Sequence, residues 1–389
     1  MDLSPIKNMK EVADYIRRLP REERIIIYGD EDIDGISSSI IIKESLERLG
    51  FSKVENVFCL KEKEGRGFSI PVLQFLRKNS IGTIILVDLG ISDVEAIHEA
   101  KNLGFTVIII DHHEPPLTLL PPANLIINPK QPTDNYVFKQ LAAAGLCYHL
   151  SCWMLHGDPD FDVLERRFVE MAGIATIADM MPLEHDNIDI VDKTICILEE
   201  TTRPSLRACL NYCYKDDITL KEAIHRIITI LNASSVNNQR VAESFILLTE
   251  DNHSKILKLI KMLEKKAVEN VALRTIITDE AKQRLSEDNL PEIIFMGDKD
   301  WPRRAVASVA ARLADVYRRP VFIYSQGDTY SYGSARAPKG IDCVALMHAC
   351  SHCLIDYGGH PPAAGFGIDN KDLQKFRLCL LENYNKLHG

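Results

Sequence analysis

With 389 residues, 46% of them apolar and 26% charged, the chain is long enough for two or three domains with separate cores. No apolar run approaches the roughly 18 residues of a membrane span, and the opening MDLSPIKNMKEVADYIRR lacks a basic-then-apolar signal, so a soluble cytoplasmic protein without a membrane partner is expected. A net charge of −9 argues against a general nucleic-acid coating protein, and ten scattered cysteines are too sparse for a disulfide scaffold and read as reduced thiols.

In chain order, RIIIY (24–28), TIILVD (83–88), FTVIII (105–110) and NLIIN (124–128) are continuous apolar runs ended by polar residues, the pattern of buried parallel strands. SSSIIIKESLERLG (37–50) and DVEAIHEAKNLG (93–104) have helical periodicity and end on glycine. This alternation predicts an α/β fold whose N-terminal part is a doubly wound, mainly parallel sheet. From about 138 to 285 the pattern is helical, including LAAAGLCYHLSCWMLHG and SKILKLIKMLEKKAVENVALRTII. Strand-like EIIFMG (292–297), PVFIYS (320–325) and TYSYGSAR (329–336) then alternate with AVASVAARLADVYR and DCVALMHACSHCLIDYG, which read as helices. The expected division is 1–200, a helical connector over 201–289, and a smaller α/β domain over 290–389. Cys350 and Cys353 have CxxC spacing, but no second pair completes a zinc site, and i,i+3 cysteines on a helix are ordinary packing.

The chemistry gathers where the strands end. RIIIY runs into GDEDIDG, placing Asp30, Asp32 and Asp34 at alternate positions before Gly35. Such a cluster costs free energy unless cations sit among the carboxylates. A calcium loop is excluded, because position 41 is Ile rather than Glu and a strand precedes the motif. The second run delivers Asp88, the third Asp111, His112 and His113, and GIATIADMMPL supplies Asp179. A single strand-ending aspartate is usually a helix cap, but capping does not account for acids on successive strand ends at the edge where such sheets bind ligands. Carboxylates mixed with imidazole suit Mn²⁺ or Mg²⁺, and two such cations together hydrolyse phosphoesters. No GxxxxGK[ST] and no nucleophilic triad competes.

These residues match a known pattern. DxDxDG (30–35), VD (87–88), DHH (111–113) and Asp179 resemble the four motifs of the DHH phosphoesterases, and GGHPPAAGF (358–366) resembles the signature of their DHHA1 domain. Within that family the chain resembles RecJ-type single-strand exonucleases through EGRGF (64–68), INPKQP (127–132), LAAAGLCYHL (141–150), LNASSVNNQR (231–240) and GSAR (333–336). The resemblance implies Asp32, Asp34, Asp88, His112 and Asp179 as metal ligands, with Asp88 bridging two divalent cations, Mn²⁺ preferred and Mg²⁺ accepted. It implies Asp30 and Asp111 as adjacent orienting acids, and His113 as the group meeting the scissile phosphate. Arg336 and His360 would meet substrate phosphates across an interdomain cleft, with Gly358, Gly359, Ser334 and Arg240 completing the grip. The expected function is a metal-dependent exonuclease releasing nucleoside monophosphates from single-stranded DNA or RNA, in repair or replication.

Several departures shape that expectation. Tyr28 stands where many family phosphatases carry a histidine ligand, and WPRRAVASVAARLA (301–314) replaces both glycines of the group's W-x-x-G-V-x-G segment while adding Arg303 and Arg304. The sequence also ends soon after GGHPPAAGF, where many bacterial RecJ proteins continue into an OB-fold, so a compact nuclease with a short grip is expected. Two alternatives stand beside it. One is a short-oligonucleotide (nanoRNase-like) or cyclic-dinucleotide phosphodiesterase. The other, of a different class, is a replication-complex scaffold, and a GINS-type replication or repair partner is a further expectation.

Overall fold

The isoleucine-rich runs form the centre of a five-stranded parallel sheet: β1 (Arg24–Gly29), β2 (Lys53–Phe58), β3 (Thr83–Val87), β4 (Thr106–Ile110) and β5 (Leu125–Ile127), in the order β2-β1-β3-β4-β5. The protein is described by a computed structural model covering residues 6–60, 67–116, 119–215, 217–285 and 290–388. Alternate residues of each strand serve opposite faces, as the two-residue period requires. Ile25, Ile27, Ile85, Val87, Ile108 and Ile110 enter one core, and Ile26, Tyr28, Ile84, Leu86, Val107 and Ile109 enter the other. The first face is covered by α1 (Met9–Arg18), α2 (Ile33–Arg48) and later helices, the second by α3 (Ile70–Leu76) and α4 (Val94–Asn102). This is the expected doubly wound sheet. The expectation missed β2, whose KVENVF interleaves charged and apolar residues because it is an edge strand.

The remaining helices of this unit are α5 (Ala143–Met154), α6 (Phe161–Ala178), α7 (Asp186–Ile197), α8 (Pro204–Cys213), α9 (Leu220–Leu231), α10 (Glu243–Thr249) and the first part of α11 (His253–Gln283). Leu206, Ile227, Leu247 and Ile260 share one core with the sheet, so residues 201–267 pack with the first domain. The chain divides into units Met1–Ala267 and Val268–Gly389, the division falling inside α11. An ion-pair cluster ties the helical layer together. Glu44 on α2 accepts from Arg203 at 2.7 Å and from Arg167 at 2.9 Å, and the Arg203 side chain is only 2% exposed. Burial works against the Glu44 carboxylate, but the two guanidinium groups overcome it and hold its pKa below the usual value. No described helix is long and apolar enough to cross a membrane.

The second unit is a mixed sheet of β6 (Ile294–Asp298), β7 (Val321–Gln326), β8 (Tyr330–Arg336), β9 (Asp356–His360) and β10 (Ala363–Asp369), in the order β6-β7-β8-β10-β9. One core joins Phe322, Ala364, Phe366 and Ile368 to α13 (Cys343–Ala349) and α14 (Leu373–His388). A second joins Val321 and Ile323 to α12 (Arg303–Tyr317). The segment 342–358, read as one helix, instead breaks after Ala349, passes a short turn and becomes β9, where its glycines pair with β10. Cys350 and Cys379, expected as thiols, are joined by a disulfide.

Candidate metal centre

The strand order places a topological switch point between β1 and β3, whose outgoing chains leave to opposite sides, and open α/β sheets bind ligands there. The acids converge at that point. Asp32 caps α2, its side chain accepting from Gly35 N at 3.1 Å. Gly35 is required because a Cβ would lie 2.4 Å from the Asp30 carbonyl oxygen. Asp34, 2% exposed, accepts from Ala143 N at 2.8 Å and Ala144 N at 2.7 Å. Those amides open α5, where unpaired donors and the helix dipole favour an anion. This is the role of the AAAG stretch, which residue types alone did not reveal.

Asp88 follows β3 with φ of 62°, a left-handed conformation unfavourable for most residues, and is 2% exposed. Its amide still donates to Ile110 O at 2.9 Å, so the ladder to β4 is kept while the carboxylate turns into the site. His112 Nε2 lies 3.3 Å from Asp88 Oδ1, 3.7 Å from Asp179 Oδ2 and 3.8 Å from Asp34 Oδ2. Asp179 ends α6. Three groups of donors share Asp88, one of them with Asp111 and His113. Asp34, Asp88 and His112 offer atoms within 4.8 Å of one another, and so do Asp30, Asp32 and Asp88. Asp30, expected as an orienting acid, thus stands beside Asp32 and Asp88.

Burial, reinforced by the neighbouring acids, pushes Asp34 and Asp88 well above the usual carboxylate range. The same causes, burial first and Asp32 next, lift Asp179 to about 7. Crowded, desolvated carboxylates of this kind are stabilised by cations. The donor set, hard oxygens with one imidazole, suits divalent ions of the Mg²⁺/Mn²⁺ type.

Asp111 works differently. It accepts from Ile91 N at 3.0 Å, His112 N at 2.7 Å and His113 N at 3.1 Å, and its Oδ1 lies 2.8 Å from His113 Nδ1. Burial opposes its charge, yet His113 and these donors hold it far below the ordinary carboxylate range. Burial likewise opposes the His113 cation, and Asp111 overcomes it, raising that pKa to about 9. Asn128 donates to the His113 carbonyl at 2.9 Å and fixes the loop, a function of the INP segment not assigned from sequence. Tyr28 points away, its hydroxyl donating to Gly67 O and its ring edge-on to Phe68 in the core. Most of EGRGF, residues 64–66, lies outside the described residues.

Arg240 is 4% exposed with φ of 63°. Its carbonyl accepts from Phe58 N at the end of β2, and its guanidinium lies 4.7 Å over the Phe75 ring. In the second unit, strand register puts Arg336, Ala363 and His360 in one row and Ser334, Gly365 and Gly358 in the next, on one sheet face. Arg336 donates to Ser334 Oγ at 2.7 Å. A Cβ on Gly358 would meet nothing within 4 Å, whereas at Gly359, with φ of 137°, it would strike the Ala363 carbonyl.

Residues 24–178 match the DHH family, N-terminal domain, and residues 290–385 match the DHHA1 domain. The chain is a DHH–DHHA1 protein. It is 30% identical over 383 residues to the single-stranded-DNA-specific exonuclease RecJ of Bacillus subtilis, covering 97% of this chain and 48% of that protein. To the RecJ of Thermus thermophilus it is 27% identical, covering 96% and 54%. The chain spans about half to two thirds of the length of the curated RecJ proteins it matches. A crystal structure of exonuclease RecJ bound to manganese superposes with a TM-score of 0.81 at 24% identity, covering 98% of this DHH–DHHA1 chain and 96% of the other, which shows the shared fold.

Proposed function

We propose that this DHH–DHHA1 chain is a divalent-cation-dependent exonuclease that hydrolyses phosphodiester bonds of single-stranded DNA to nucleoside monophosphates. The observation that carries the reading is Asp88, a buried acid common to three donor groups at the switch point. The similarity to proteins named single-stranded-DNA-specific exonucleases supports the substrate class.

Asp32, Asp34, Asp88, His112 and Asp179 would hold the cations, with Asp30 beside them. Bound Mn²⁺ or Mg²⁺ supplies Lewis-acid polarisation and charge compensation at the scissile phosphate. The chain's own groups do the rest. Ala143 and Ala144 amides aim Asp34, and Asp111 fixes the His113 ring and keeps it cationic at neutral pH. His113 then stabilises charge developing on phosphate oxygens or delivers a proton to the leaving oxygen. Arg336, with Ser334 and His360, supplies a guanidinium suited to a phosphate; Arg240 is a further candidate contact.

The complete acid set favours this reading over a replication scaffold, which needs no ligands; a docked replication or repair partner is compatible with it. The test is hydrolysis of 5′- and 3′-labelled DNA and RNA from two to forty nucleotides with Mn²⁺ or Mg²⁺, alongside Asp88→Asn. Metal-dependent release of mononucleotides, lost in the variant, is expected. Preference for dimers would replace the exonuclease by a short-oligonucleotide phosphodiesterase, and inertness on every substrate would point to the scaffold.

A further inference from the structure

The INPKQP turn after β5 holds a buried cation outside the set assigned so far. Asn128, itself buried, joins two segments: its Nδ2 donates to the His113 carbonyl at 2.9 Å, and its Oδ1 accepts from the Lys130 amide at 2.8 Å. Gln131 closes the turn, its amide donating to Asn128 O and its side chain to Ile126 O and Asn128 O, each at 3.1 Å. Lys130 is thereby fixed next to the His113 segment through one side chain that both share. Its own side chain is only 5% exposed, a depth at which lysine is almost never found without a partner. The Nζ lies 3.1 Å from Glu114 Oε1, but this ion pair falls outside hydrogen-bonding geometry. Among the described residues no group accepts a hydrogen bond from it. An ammonium brings three donors, and leaving them unmade in a buried place costs free energy. The charge is felt at the metal centre: burial and Asp32 raise the Asp179 carboxyl, and the charges of His113 and Lys130 work against them.

We propose that Lys130 is a phosphate contact of the active site, its ammonium donating to a non-bridging oxygen of the phosphate that lies at the metal centre. The inference rests on the nuclease reading above and adds a substrate-binding residue to it. An ammonium that served only to balance the acids would pair directly with one of them. The ion-pair partner is instead Glu114, whose carboxylate is exposed and screened by water, so the pair is weak and is given up at little cost when a phosphate enters. The phosphate oxygens supply the strong acceptors that the buried donors lack.

The test uses the full chain loaded with Mn²⁺ and, as probe, thymidine 5′-monophosphate, which carries the phosphate but has no diester to cleave. Lys130→Met and Lys130→Gln remove the charge and keep most of the buried stem. Lys139→Met removes a neighbouring charge whose Nζ already donates to Asp134 O at 2.8 Å. Isothermal titration is expected to show monophosphate affinity about tenfold lower in both Lys130 variants, the size of one charge-assisted hydrogen bond, and unchanged in Lys139→Met. Mn²⁺ affinity without the monophosphate should not fall in the Lys130 variants, because a positive charge has left the vicinity of the acids; retained Mn²⁺ binding also certifies the folded site, and if one variant fails it the other carries the comparison. On a labelled ten-nucleotide DNA, kcat/KM should fall at least as far as the affinity. Failure of the wild-type protein to bind the monophosphate, unchanged affinity in the Lys130 variants, or equal losses in Lys130→Met and Lys139→Met would overturn the contact. A rise in Mn²⁺ affinity without loss of monophosphate binding would assign Lys130 to charge balance instead. Because binding is read without catalysis, a protein that binds the monophosphate through Lys130 yet cleaves no DNA would sink the nuclease reading and leave the contact standing.

Discussion

Replacing Asp88 by Asn should make the metal-free protein more stable and the metal-loaded protein inactive. Asp88 is 2% exposed and offers an oxygen within 4.8 Å of donors from Asp30, Asp32 and Asp34. At an effective dielectric near 20, two unit charges at that separation repel by about 3.5 kcal/mol. Proton uptake limits the penalty, because burial and these neighbours already push the Asp88 carboxyl well up. A net relief of about 2 kcal/mol remains, which for a unit of this size raises Tm by roughly 4–8 °C. The assay is thermal unfolding in EDTA and again across a Mn²⁺ titration. Wild type should gain stability as Mn²⁺ rises, by about 2.7 kcal/mol at a hundredfold excess over Kd, and Asp88→Asn should lose most of that gain. A variant less stable than wild type in EDTA, with an undiminished response to Mn²⁺, would refute the assignment of these acids to a cation site.

Three further outcomes are expected. Asp111→Asn removes the main group holding the His113 pKa near 9; with burial left to oppose the cation, that pKa falls to about 6.5 or below, and the imidazolium fraction at pH 8 falls at least about thirtyfold. Activity dependent on the cation, lost in wild type only as pH rises through about 9, should then decline from about 6.5 or below, as kcat against pH in saturating Mg²⁺ would show. Glu44→Gln leaves Arg203 buried without its anion and should cost about 3–5 kcal/mol in urea unfolding. Because the Glu44 pKa is depressed on folding, the wild-type advantage should be full above about pH 4.3 and vanish as pH falls through the lower folded value. Gly35→Ala forces the first turn of α2 away from the Asp30 carbonyl and should cost about 1–3 kcal/mol by overpacking, together with the thermal response to Mn²⁺.

The central strands and their terminal acids were legible because both signals are local. A run such as TIILVD is buried on two faces, so each residue must be apolar until the polar one that ends it. β2 escaped because an edge strand needs no continuous run. The break in 342–358 escaped because apolar residues there satisfy a helical period, whereas antiparallel pairing with β10 across the turn at Pro361 and Pro362 decides the strand. Supporting contacts were the least legible. Asp34 is held by backbone amides at Ala143 and Ala144, and the Cys350–Cys379 bridge joins positions 29 residues apart. Neither a backbone donor nor a distant thiol partner leaves a residue-type signature.

The sharing of Asp88 follows from topology more than from the motif that contains it. Neighbouring strands lie about 4.8 Å apart, so the ends of β1 and β4 are separated by about twice that distance. Asp30, Asp32 and Asp34 enter from the β1 side, and Asp111, His112 and His113 from the β4 side. β3 lies between them and is hydrogen-bonded to both. A single carboxylate common to a β1 group and a His112 group must therefore come from the end of β3. The left-handed backbone at Asp88 turns that one side chain into the gap while its amide stays on the β4 ladder. A strand order that separated β1 from β3 would keep every motif in the sequence and still dismantle the site.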